Sequence, residues 1–158
     1  DLQGLRLGTM DYGVTTLAPT LIGHLSHASL HDLTQRHPGI AHAFWRDTVI
    51  DGAIFREWML GLGCRTLRER ISHLLCEMAM RFAAVGLATN GAYEMPVTQS
   101  DLGDALGLPV VQVNRLILSL QQDGLLMSSP STLRVLDFDG LARICNFDPA
   151  YLHQDGGA

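Results

Sequence analysis

The chain of 158 residues has no lysine: all eleven of its cations are arginine, set against sixteen Asp and Glu for a formal net charge of -5. Neutralising phosphates takes Lys or Arg, so a broad electrostatic grip on nucleic acid is excluded, and any such footprint has to be a local cluster of arginines. The balance is more even in one segment. Between Cys64 and Leu136, Arg65, Arg68, Arg70, Arg81, Arg115 and Arg134 offset Glu69, Glu77, Glu94, Asp101, Asp104 and Asp123, so the excess acid lies elsewhere. Cysteine is scarce too. Cys64, Cys76 and Cys145 are widely spaced with no C-x-x-C pair, which leaves no disulfide framework and no zinc or iron-sulfur signature, and three buried reduced thiols are expected. The longest apolar runs, such as Ala83 to Ala88, fall far short of the ~20 residues that cross a bilayer, and no charged-then-apolar leader opens the chain. A cytoplasmic protein without a membrane partner is expected. Its first residue is Asp1 instead of Met, which suggests that an N-terminal portion precedes it.

Catalytic patterns are missing as well. There is no G-x-S-x-G, no H-E-x-x-H, no phosphate loop and no carboxylate pair in an apolar stretch, so no enzyme activity and no cofactor are expected. His24, His27 and His31 invite a metal reading, but with Ser26 as a helix cap only His27 and His31 share a face, and two imidazoles without a carboxylate or thiolate make an incomplete site. Tyr12, Trp45 and Trp58 are read as core aromatics before pocket residues.

Hydrophobic residues make up 47% of the chain, enough for a packed core. Residues 12–17, Tyr-Gly-Val-Thr-Thr-Leu, are rich in β-branched and aromatic types and stop at Ala18-Pro19, which reads as a strand end. Ser26 caps a short helix that stops near His37-Pro38. A longer helix follows from Gly39 to about Leu62, with Ile50, Ile54 and Trp58 every four residues beside Phe55, Met59 and Leu62, and Gly61 and Gly63 punctuate its end. So wide an apolar surface must pack against something, either a second copy or another part of the protein. Thr66-Leu-Arg-Glu69 is a capping box that opens an amphipathic helix carrying Leu67, Ile71, Leu74, Leu75, Met78 and Phe82. Asn90-Gly91 is a turn signal for a small hairpin before Val97.

The informative stretch begins at Thr98-Gln-Ser-Asp101, a second capping start for a short helix burying Leu102, Ala105 and Leu106 before Gly107 breaks it. Pro109 suits the start of the next helix, whose buried face is Val113, Leu116, Ile117 and Leu120. Small Gly103 falls where two helices joined this tightly must approach each other. With successive residues turned about 100°, Val111, Gln112, Arg115, Ser119 and Gln122 are read as the outward face. An apolar back with a front of amide, hydroxyl and guanidinium groups is what a recognition helix needs, Arg115 suiting guanine and Gln112 adenine. A plain solvated charge remains the other reading of Arg115. After Asp123-Gly124, Leu125-Leu126-Met127 and Leu133-Arg-Val135 flank the turn Ser128-Ser-Pro-Ser-Thr132, a hairpin wing. Ser128, Ser129 and Arg134 suit phosphate contacts, although the two serines also read simply as turn formers.

The run from Val97 to Leu125, Val-Thr-Gln-Ser-Asp-Leu-Gly-Asp-Ala-Leu-Gly-Leu-Pro-Val-Val-Gln-Val-Asn-Arg-Leu-Ile-Leu-Ser-Leu-Gln-Gln-Asp-Gly-Leu, resembles the helix-turn-helix of Crp/Fnr-type regulators. The resemblance extends back through Thr66-Leu-Arg-Glu-Arg-Ile-Ser-His-Leu-Leu75 and covers most of residues 24–138. It implies a mainly α fold with a small β wing: a winged helix-turn-helix, a long dimerisation helix before it, and a remnant of a β-roll. The expected divisions are 1–22 for the end of the roll, 23–63 for the helices, 64–138 for the DNA-binding domain and 139–158 for a C-terminal tail. The implied partners are double-stranded DNA, a second copy and RNA polymerase. Val111, Gln112, Arg115 and Ser119 would face bases; Thr98, Gln99, Ser128, Ser129 and Arg134 would face phosphates; Ile50, Ile54 and Trp58 would form the dimer interface. One departure stands out, since the helix begins Pro109-Val110-Val111 where some relatives place charged base-reading residues. A protein-interaction module that keeps the winged-helix fold without binding DNA is the alternative function.

Overall fold

A computed structural model describes residues 8–9, 12–17, 19–87, 93–129 and 132–154, with backbone alone at 93–95. Six helices and three strands are formed by these residues: α1 His27–Arg36, α2 Pro38–Cys64, α3 Leu67–Ala84, β1 Tyr93–Met95, α4 Gln99–Leu106, α5 Val110–Gln122, β2 Leu126–Ser128, β3 Leu133–Val135 and α6 Phe138–Cys145, followed by a 3-10 turn at Pro149–Leu152. The chain is thus mainly α with a small β wing. It divides into two compact units, residues 1–56 and 57–158.

In the first unit, Ser26 caps α1 by accepting from the Ser29 backbone N–H at 3.1 Å, satisfying a donor that the helix cannot. No residue of α1 is buried. Residues 12–17 form no strand, contrary to their β-rich composition: a strand is held by the ladder to a neighbour, and the described residues around it supply none. The 27-residue α2 runs through Gly61 and Gly63 to Cys64, so those glycines punctuate less than expected.

The second unit holds the core. Both halves of the Thr66–Glu69 capping box are made, and Ile71, Leu74 and Leu75 of α3 pack with Leu102 and Leu106 of α4, Val113, Ile117 and Leu120 of α5, and Leu133 and Val135 of β3. The sheet has the order β1-β3-β2, antiparallel throughout, with Tyr93 opposite Val135 and Leu126 opposite Val135 in register. β1 therefore pairs with the wing; the Asn90-Gly91 turn lies outside the described residues.

Two divisions move. The last turns of α2, from Glu57, belong with the winged helix, and residues 138–152 are no tail. Asp137 caps α6 through its carboxylate on the Gly140 N–H at 2.8 Å, and α6 lies against α3 with Leu141, Cys145 and Leu152 buried. Apolar side chains at helical spacing after a cap have to be covered, and α3 covers them. Cys76 and Cys145 are buried as expected, whereas Cys64, the last residue of α2, is exposed.

Candidate nucleic-acid interface

The helix-turn-helix is built on one cap and two glycines. Thr98 Oγ1 accepts from the Asp101 N–H at 3.2 Å while the Asp101 carboxylate accepts from the Thr98 N–H at 2.7 Å. These bonds hold the Asp101 carboxyl below its ordinary range. Gly107 ends α4 in the left-handed region at φ 64°, which carries no steric penalty without a Cβ. A Cβ on Gly103 would stand 2.8 Å from the Leu108 carbonyl oxygen, so the turn can pass this close to α4 only where no side chain intervenes.

The back of α5 is fixed by burial of Val113, Ile117 and Leu120, and its sides by polar ties. Asn114 Nδ2 donates to Gln99 Oε1 at 3.0 Å, linking α5 to α4. Arg68 of α3 donates to Ser119 Oγ at 2.5 Å and pairs with Asp123, bracing the far end of the helix. Arg70 donates to the Leu106 carbonyl at 2.5 Å, closing the C-terminus of α4. Four of the arginines between Cys64 and Leu136 are thereby committed within the fold, since Arg65 pairs with Glu57 and Arg81 with Glu77.

What remains outward is narrower than the helical wheel suggests. Val111 and Arg115 are exposed, as are Asn114, Leu118 and Gln122. Gln112 and Ser119 sit at the edge of the buried arc and are half-buried. Ser119 is also occupied by Arg68, so the expectation that it faces bases is corrected: a hydroxyl beside a guanidinium becomes its acceptor. Thr98 and Gln99, expected at phosphates, spend their side-chain acceptors on the α4 cap and on Asn114. Asn114 was missed; its tie to Gln99 joins helices fifteen residues apart, which periodicity along one helix does not reveal.

On the wing, Ser129 Oγ accepts from the Thr132 N–H at 3.2 Å and the Ser129 N–H donates to the Thr132 carbonyl at 2.8 Å. This is the turn-forming role. Ser128 is half-buried with its hydroxyl toward the Ser129 carbonyl at 3.4 Å. Arg134 projects from β3 into solvent. Arg115 and Arg134 make no hydrogen bond or ion pair with the described side chains, and they are the two cations of the domain left for an outside partner.

Trp58, expected in a dimer face, turns inward. Its Nε1 donates to Glu77 Oε2 at 2.9 Å, and Tyr151 O–H donates to the same oxygen at 2.8 Å. A carboxylate only 1% exposed requires such donors, and an indole N–H at the core's edge requires an acceptor. Burial, then the adjoining Glu77, pushes the Tyr151 phenol far above its usual range. His73 lies beside this group, stacked on Tyr151 and edge-on to Phe147. Its Nε2 stands 3.3 Å from Glu57 Oε1 yet off the line of a hydrogen bond, and burial foremost holds its pKa below the usual value. Ile50 and Ile54 are half-buried, and the exposed large apolar residues of α2 are Trp45, Val49, Phe55, Met59, Leu60 and Leu62. Among the described residues no helix is long and apolar enough to cross a membrane.

Residues 69–144 match the model of the Crp-like helix-turn-helix domain. The transcriptional activator protein FnrA of Stutzerimonas stutzeri is 35% identical over 147 residues, 91% of this chain and 60% of that protein. The transcriptional activator protein FnrL of Cereibacter sphaeroides is 32% identical over 121 residues, 75% of this chain and 49% of that protein. The solved structure of FixK2 from Bradyrhizobium japonicum aligns with a TM-score of 0.66 at 27% identity, covering 76% of this chain and 59% of its own. The chain therefore spans between 49% and 60% of the length of these two curated relatives.

Proposed function

Because residues 69–144 match the Crp-like helix-turn-helix domain and the chain is similar to two transcriptional activators, we propose that it is a regulator of the Crp/Fnr family, binds DNA sequence-specifically as a homodimer and so regulates transcription in the cytoplasm. One observation carries the reading: α5 is held from behind and at both sides, while its front presents Arg115 with no partner among the described side chains. A guanidinium carried on a firmly held helix that fits the major groove reads guanine through O6 and N7. Arg134 on the wing supplies a phosphate contact, which positions the protein without reading sequence.

The dimer is the part that α2 supplies. Trp45, Thr48, Gly52, Phe55, Met59 and Leu62 alternate at spacings of three and four residues, the repeat of a two-helix seam. All but Gly52 are exposed, and a second copy of α2 would cover them. This seam replaces the set Ile50, Ile54 and Trp58. Two recognition helices related by a twofold axis then enter successive major grooves about one helical turn apart, on a roughly palindromic operator. Since the relatives are named transcriptional activators, the proposal extends to contact with RNA polymerase. It assigns no catalytic step to the chain. The protein-interaction alternative is not favoured, because it leaves Arg115 and the likeness to transcriptional activators unused.

The test is binding to a pool of random duplexes across a salt series, with sequencing of the retained fraction. The expected result is enrichment of a palindrome whose affinity falls as salt rises. Absence of retention even at low salt would move the reading to protein interaction.

A further inference from the structure

The front of α5 is apolar at the end that would enter the groove first. Val110 is 48% exposed, Val111 65% and Leu118 48%, although aliphatic side chains on a helix surface gain nothing from water. Three polar side chains of α5 are drawn back or engaged: Gln112 is half-buried, the Asn114 amide donates to Gln99 at 3.0 Å, and Ser119 is held by Arg68. Val111 and Arg115 stand one turn apart on the same face, about 6 Å along the axis, which corresponds to roughly two base-pair steps.

A side chain with neither donor nor acceptor can discriminate among major-groove edges only by their apolar group, and the C5-methyl of thymine is the one such group there. We propose that Val111, with Val110 beside it, reads the 5-methyl of a thymine in each half-site, within two base-pair steps of the guanine taken by Arg115. This inference rests on the DNA-binding reading above and adds to it which base the departure at Val110-Val111 selects.

The test uses the duplex enriched by the protein from the random pool, with its thymines replaced one at a time by deoxyuridine, which keeps base pairing and lacks the methyl. At one thymine per half-site, affinity is expected to fall about fourfold, the worth of one buried methyl group. Val111→Ala is expected to bind more weakly and to lose that sensitivity, while other thymines behave as before; its thermal midpoint, set beside the parent's, registers any effect on folding. If deoxyuridine is tolerated at every position, or if Val111→Ala remains as sensitive as the parent, the methyl-reading role is wrong and DNA recognition stands without it. Failure to enrich any sequence would overturn the DNA-binding reading and this inference together.

Discussion

The carbonyl of Leu108 stands 2.8 Å from where a Cβ on Gly103 would be, and because that oxygen belongs to backbone it cannot swing aside as a side chain end could. Gly103→Ala gains helix propensity, worth ~1 kcal/mol, but forces α4 away from the turn. A net loss of about 1–3 kcal/mol is expected, read as a lower urea midpoint, with DNA affinity falling alongside because the spacing of α4 and α5 sets the pose of Arg115. An unchanged midpoint would show that the turn relaxes freely. His73 makes a second prediction at this scale. Its folded pKa is depressed from 6.5, by burial first and then by Arg65, against the opposing pull of Glu57 and Glu77. Below about pH 6.5 the unfolded chain therefore takes up a proton that the folded chain resists, so this contribution is complete above that pH and fades as pH falls through the folded value. Glu69 and Asp101, depressed by their capping bonds from 4.5 and 3.8, lose their contributions only below those values. Urea unfolding between pH 7 and 5 should thus show a declining stability in the parent and a flatter one in His73→Gln; equal slopes would remove His73 as the cause. The close approach at Gly103 and the outward position of Arg115 were legible from local spacing, since each depends on one helix or one turn. Glu77, Trp58 and Tyr151 were not, because a hydrogen bond spanning 74 residues, as between Tyr151 and Glu77, leaves no periodic trace.

Among the elements, caps proved the most readable features. Ser26, Thr66 and Thr98 each satisfy helix donors within three residues of themselves, so their chemistry is contained in a four-residue window. Residues 12–17 show the reverse, for β composition expresses itself only beside a partner strand. α6 was overlooked although Asp137 is a legitimate cap and Leu141 and Cys145 follow at i, i+4; eight residues are too few for periodicity to stand out, and it is packing on α3 that makes the helix. The wing carries a prediction of its own. With Arg65, Arg68, Arg70 and Arg81 paired inside the fold, the proposed DNA binding relies on exposed Arg134 as a main source of phosphate contact. Arg134→Ala should weaken binding to all duplexes alike and reduce the salt slope by about one per protomer, measured as affinity across a salt series on matched and unrelated sequences. A loss confined to the matched duplex would instead make Arg134 a base reader.

For the molecule as a whole, the net charge of -5 set composition against motif, and the arginines between Cys64 and Leu136 divide by location: Arg65, Arg68, Arg70 and Arg81 are paired within the fold, while Arg115 and Arg134 face outward. Affinity should then depend on fit at a few bases more than on charge. The helix-turn-helix was legible in the sequence because its run is local and continuous, while the exposed apolar residues of α2 stood out only once Trp58 was seen to turn inward. The measurement closest to the central claim is the affinity of the parent and of Arg115→Ala for the enriched duplex and for an unrelated one, at one fixed salt concentration. The account predicts that the parent separates the two duplexes by at least about a thousandfold, and that Arg115→Ala loses ~1–3 kcal/mol per contact on the enriched duplex alone while relaxing the preference at one base position. Equal affinity of parent and variant for the enriched duplex would contradict the assignment of α5 as the reading helix.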